Sequence, residues 1–174
     1  MLFRSVIFLQ LAREADVIIE SFRPGVAKRL GIDYETIAKE NPRIVYCAMS
    51  AFGQEGELAQ RPSHDLGAQA MTGVLSLGQT DGRAPSLPAA PTADIAQSSL
   101  SLAGIAMALY RREATGRGDY LDMSMTDALM SWTPHALSNV LGADTAPVLS
   151  EERLYGGAAF YNVYETKDGG HLVL

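Results

Sequence analysis

A chain of 174 residues is long enough for one domain of ordinary size, burying roughly two thirds of its unfolded surface. Hydrophobic residues make up 47% and charged residues 20%, a composition that excludes a disordered chain, and no apolar run approaches the roughly 20 residues of a membrane-spanning helix. The formal net charge of -6 speaks against nucleic acid or another polyanion as a partner.

Phe3 to Ala15 is predicted as a helix feeding DVIIES, a short β-branched run of the kind that forms a buried parallel strand. FRPGVAKRLG supplies a Pro-Gly turn and a helical turn, and DYETIAKENP a short helix opened by Asp33 and closed before Pro42. RIVYCAMS is a second strand, so the pattern is a βα crossover unit and the fold class α/β. After a polar loop, a helix is expected from Asp65 to Ser76, followed by the Gly/Pro-rich loop GQTDGRAPSLPAAP. A long apolar helix is expected from Asp94 to Thr115, stopped by Gly116 and carrying Arg111 and Arg112 in its last turns, where cations suit the helix dipole. Tyr120 to Met125 alternates as a third strand, and TDALMSWTPHALSNVLG is helical with an interruption at Pro134. TAPVLSEERLYGGAAF reads as a linker, and YNVYETKDGGHLVL as a β-hairpin about Lys167-Asp168-Gly169-Gly170. The chain stops at Leu174 within an expected strand, and the sheet lacks an opening strand, which reads as a fragment of a longer protein.

Polar residues that could carry chemistry fall at three loop-to-helix junctions: His64-Asp65, Asp94, and the loop Ser21 to Gly25. The spacing of Asp94, at the start of the long helix, reads first as an N-cap. A carboxylate there is stabilised as the anion by the helix dipole, so the position also suits a nucleophile or base. His64 reads either as a helix-start histidine bonded to a carbonyl or as half of an acid/base site. The three histidines, His64, His135 and His171, form no cluster at ligand spacing, and no metal site is expected. Nucleophile-elbow serines and phosphate-binding glycine fingerprints are absent from the sequence. The single cysteine, Cys47, sits in a strand pattern and excludes a disulfide within the chain, which points to a reducing, cytoplasmic compartment.

Two long runs carry a resemblance. ADVIIESFRPGVAKRLGIDYETIAKENPRIVYCAMSAFGQEG resembles the family III CoA-transferases, whose ADVxIExFRPG and NPRLIYxxxxGFGQxG segments it follows in order and spacing. ADIAQSSLSLAGIAMALYRREATGRGDYLDMSMTDAL is similar to the same family's Asp-led helix and its RExTGxGQxxDxSMxDA signature, and agreement runs from about Ala15 to Leu174. The resemblance implies a Rossmann-like large domain over residues 1–142, a linker over 143–160, and the first hairpin of a truncated small α+β domain over 161–174. It implies coenzyme A as co-substrate, acyl-CoA and carboxylic acids as substrates, no nucleic-acid or membrane partner, and an interlaced homodimer for the full-length parent.

In transferases of that family the aspartate at the position of Asp94 attacks an acyl-CoA thioester, so the resemblance implies covalent catalysis through an aspartyl-CoA intermediate. In the α-methylacyl-CoA racemase branch the same aspartate and a histidine of an HD pair work as two bases on the α-carbon. The SHD sequence resembles that branch, which implies His64 as the second base and the Asp65 backbone N–H as an oxyanion donor. Tyr161, in GGAAFYNVY, is similar to a racemase tyrosine and is implied to orient the aspartate. For the CoA nucleotide, the family's ENFRPG loop implies Ser21, Phe22, Arg23, Val26 and Arg29 as contacts. The sequence departs from the racemase pattern at Gly67 and Ala68, where Asn-Tyr is usual, and at Ala48, where an arginine is usual. The glutamate that partners the histidine in the family would lie beyond Leu174, so a CoA-binding or dimerisation remnant without turnover is a third reading.

Overall fold

In the computed structural model, which describes residues 2–78, 84–143, 148 and 152–174, a run of three parallel strands organises the first of two units, Met1–Trp132. The strands are β1 (Val17–Glu20), β2 (Val45–Ser50) and β3 (Asp119–Ser124), side by side in the order β1-β2-β3. Ile18, Tyr46 and Tyr120 stand level across the sheet, as do Glu20, Ala48 and Asp122. Parallel neighbours need crossovers, and helices supply them. After α1 (Leu2–Glu14) and β1, α2 (Val26–Leu30) and α3 (Tyr34–Glu40) lead to β2; α4 (Asp65–Met71) and α5 (Thr92–Thr115) lead to β3; α6 (Met125–Ser131) follows.

Side chains of a strand alternate between faces, so β2 feeds two cores. On one face Tyr46 and Ala48 pack with Ala12, Ile37 and Ile44; on the other Val45 and Cys47 pack with Ile105 and Ala108 of α5. Val45 to Ala48 are all buried, which explains why this strand reads in sequence as an unbroken apolar run. A third cluster of Ala68, Ala93, Ala96, Ala128 and Leu129 joins α4, α5 and α6.

Several element ends differ from the sequence expectation. The helix expected to Ser76 ends at Met71 and resumes as a 3-10 turn, Val74–Gly78, because Gly73 takes a left-handed φ of 78°. Pro134 does break the next helical stretch, but by opening a new helix, α7 (Pro134–Ala143), at the first position that tolerates it. β3 ends one residue early because the Ser124 hydroxyl caps α6, accepting the Asp127 N–H at 3.2 Å.

Arg112 stands in the last turn of α5, as expected. Its side chain turns inward and is 8% exposed. The guanidinium donates to the carbonyls of Asp16 and Arg43 and meets the Asp16 carboxylate at 2.8 Å, tying α5 to the starts of β1 and β2. Arg112→Ala takes the side-chain donor from the Arg43 carbonyl, leaves the Asp16 carbonyl with the Val45 N–H as its donor, and is expected to lower the unfolding free energy by about 2 kcal/mol, read from the urea midpoint.

The second unit, Thr133–Leu174, holds α7, an irregular turn at Arg153–Gly157, and an antiparallel hairpin of β4 (Val163–Glu165) and β5 (His171–Val173). The hairpin closes where the sequence places it, with the Thr166 N–H donating to Gly170 O at 3.0 Å and Gly169 at a φ of 79°. Parts of the expected Pro-rich loop, 79–83, and of the expected linker, 144–147 and 149–151, lie outside the described residues.

Candidate active site

The first turn of α5 lacks a local cap. Residue 91 is proline, with no side-chain oxygen to offer the free N–H groups, and the helix begins at Thr92, two residues before the expected start. Asp94 is therefore inside the helix and is not its N-cap. The cap comes from α4 instead: Asp65 Oδ1 accepts the N–H groups of Ala93 at 2.8 Å and Asp94 at 3.2 Å. Asp65 Oδ2 accepts from Gln69 Nε2 at 2.7 Å, and Gln69 is itself buried.

One turn beyond Asp94, the buried Gln97 amide donates to Ser50 O at 2.8 Å and Met123 O at 2.7 Å. Those carbonyls belong to the carboxyl ends of β2 and β3. The start of α5 is thereby pinned at the edge of a parallel sheet where open α/β folds place their ligands. His64, the N-cap residue of α4, makes no side-chain capping bond, and both it and Asp94 are exposed. The carboxyl of Asp94 is held above its ordinary range, first by burial and then by the Asp65 charge, while His64 pulls it down. The balance is thus opposite to the anion-favouring effect expected from the helix start alone. His64, Asp65 and Asp94 form one electrostatic group on two helices.

The loop Ser21 to Gly25 follows β1 as expected. The Glu20 carboxylate accepts the Phe22 N–H at 2.6 Å, and Gly25 takes a left-handed φ of 83° to open α2. Ser21, Phe22, Arg23 and Arg29 are exposed and Val26 half-buried; among the described residues neither arginine forms an ion pair. Beside this loop lies a feature that sequence reasoning missed, a cavity of about 420 Å³ lined by Glu20, Lys28, Tyr34, Tyr120 and Asp122 among others. The rings of Tyr34 and Tyr120 lie 5.3 Å apart at its wall. Burial pushes the Tyr120 phenol up to about 12 and lifts the Glu20 carboxyl above its usual range. The strand alternation that puts Tyr46, Tyr120 and Asp122 on one face was the available signal.

Tyr161 belongs to the second unit, where it is 51% exposed and its N–H donates to Ala158 O. Among the described residues no group of three or more His, Cys, Asp or Glu side chains could hold a metal ion. Among them, too, no helix is long and apolar enough to cross a membrane.

The sequence profile described as CoA-transferase family III matches residues 5–174. The chain belongs to that family. An acetyl-CoA:oxalate CoA-transferase from Acetobacter aceti is 40% identical over 163 residues, 93% of this chain and 42% of the relative. The α-methylacyl-CoA racemase of Homo sapiens is 37% identical over 171 residues, 95% of this chain and 44% of the relative. The crystal structure of a CAIB/BAIF family protein from Brucella suis superposes with a TM-score of 0.84 at 30% identity, covering 97% of this chain and 44% of that one. This family III chain therefore spans less than half the length of the relatives it matches, and they include both a transferase and a racemase.

Proposed function

We propose that the full-length protein transfers CoA between carboxylic acids, with Asp94 as the nucleophile. The observation that carries this reading is the exposed Asp94 carboxyl at the sheet edge, held above its ordinary range and so more nucleophilic as an anion than an unperturbed aspartate. Asp94 attacks the thioester carbonyl carbon and the CoA thiolate leaves, giving a mixed anhydride. The thiolate returns to the Asp94 carbonyl and expels the first carboxylate, leaving an aspartyl-CoA thioester. The acceptor carboxylate attacks that thioester to form a second anhydride, and thiolate attack on its acyl carbon gives the new acyl-CoA and frees Asp94. The Asp65 backbone N–H is the candidate donor to the developing oxyanion. Ser21, Phe22, Arg23, Val26 and Arg29 are assigned to the CoA nucleotide, with the arginine forks suited to its phosphates. Tyr161 as an orienting group, division of the chain after residues 142 and 160, a homodimeric parent and a cytoplasmic location belong to the same proposal.

One observation favours a second reading, α-epimerisation of a 2-methylacyl-CoA: the His64 charge acts on Asp94, so two bases lie within electrostatic reach of one another. Incubation of the full-length protein in D2O with a 2-methylacyl-CoA and a mixture of carboxylic acids separates the two. Mass spectrometry showing a new CoA ester supports the transferase; one deuterium on the starting thioester and no new ester makes the protein a racemase. His64→Gln is expected to cost exchange of the α-proton at least about 10²-fold, and CoA transfer less than about tenfold. No turnover of either kind would leave a CoA-binding or dimerisation role.

A further inference from the structure

Capping the start of α5 does not by itself require an aspartate. A neutral oxygen from serine or asparagine satisfies helix N–H groups about as well. The residue that reaches across from α4 is nevertheless Asp65, and its carboxylate is fixed from both sides, by the Ala93 and Asp94 amides on one oxygen and the buried Gln69 amide on the other. A second negative charge is thus locked onto the backbone of Asp94, close enough to raise its carboxyl.

We propose that the Asp65 side chain is a positioning residue for Asp94, holding its backbone amide from α4 and setting a repelling charge beside its carboxyl. The inference rests on Asp94 being the reactive carboxylate. The charged groups that act on Asp94 are Asp65 and His64, both at the start of α4, and with burial included the balance runs against the anion. When Asp94 is acylated, as anhydride or thioester, its charge is gone and the repulsion is relieved. Asp65 therefore raises the free anion relative to the covalent intermediate, which is the direction that favours attack on a thioester.

The test compares Asp65→Asn with the wild type in the full-length protein. Asparagine keeps an oxygen for the α5 amides and removes the charge. Titration of aspartate-labelled protein by carboxyl NMR, with Asp94→Asn to assign the signal, should show the Asp94 midpoint moved down. The acid limb of kcat/KM should move in the same direction, and kcat should fall roughly tenfold while KM for acyl-CoA changes less than about twofold. An unmoved Asp94 midpoint overturns the inference. A midpoint that moves while the acid limb stays put refutes Asp94 as the reactive group, and the catalytic part of the inference with it. Should Asp65→Asn fail to fold, Asp65→Glu retains the charge and shifts the cap: kcat should still fall with the Asp94 midpoint still raised, and a wild-type kcat overturns the role.

Discussion

Asp94→Asn is expected to lower kcat/KM for acyl-CoA by at least about 10³-fold, whichever of the two chemistries the full-length protein performs. An amide can neither form the anhydride nor remove a proton, yet it fits the same space, so the loss reports chemistry and not folding. Under the transferase chemistry alone, the wild-type protein incubated with acyl-CoA should carry an acyl or CoA adduct on the peptide containing Asp94, and the variant none. The activity of the wild type has its own signature in pH. The attacking form is the anion, and the carboxyl is held above its usual range, so the acid limb of kcat/KM lies higher than for an ordinary aspartate. The same displacement acts on stability with a definite sign. A carboxyl raised in the fold contributes stability below its unfolded pKa and loses it as pH rises through the folded one. Asp94→Asn removes that loss, so the variant should unfold at a urea midpoint no lower than that of the wild type at neutral pH. A protein that became both inactive and markedly less stable would place Asp94 among structural residues.

Gly118→Ala should be the most damaging glycine-to-alanine change among the described residues of the first unit. Gly118 stands between the end of α5 and β3, its N–H donates to Pro42 O at 2.9 Å, and the next amide, of Asp119, donates to Ile44 O at 3.1 Å. A Cβ built on Gly118 runs into the Ile44 carbonyl itself. Because the obstacle is backbone, no rotamer change relieves it, and β3 can pair with β2 only if one of them shifts. The expected cost exceeds about 3 kcal/mol, a large part of the 5–15 kcal/mol that stabilises a domain, and on the order of 10 °C in Tm. Gly116→Ala provides the comparison. Nothing lies within 4 Å of a Cβ there, although φ is 70°, so the cost should stay near 1 kcal/mol. Urea unfolding of both variants decides the matter, and similar midpoints would refute the close approach.

The sheet and its long helix were legible in the sequence because their signals are local. VII and VYCAM are apolar runs of strand length, although β1 is only half-buried, with Ile19 exposed, where a buried strand was expected, and Gly116 marks a helix end by its own conformational freedom. What escaped was set by partners far along the chain. The start of α5 moved because its cap is Asp65, 28 positions before Ala93, and no window centred on Pro91 contains it. Arg112 fits the pattern of a helix-end cation, and only the arrival of Asp16 and Arg43 beneath it turns it inward. His64 and Asp94 were drawn to the same chemistry by family resemblance; their spacing alone gave two unrelated helix starts. The cavity beside Glu20 went unseen although Tyr120 and Asp122 alternate correctly, because the third ring, Tyr34, comes from a helix.

Gln97 also constrains how the molecule can move. Its amide holds two strands at once, so α5 cannot slide by a turn without stranding two main-chain acceptors and the amide that served them. At about 1–3 kcal/mol for each orphaned group, such a slip would be rare on the timescale of turnover. The start of α5 is therefore an anvil, and on the proposed reading any hammer stroke onto a substrate there has to come from elsewhere.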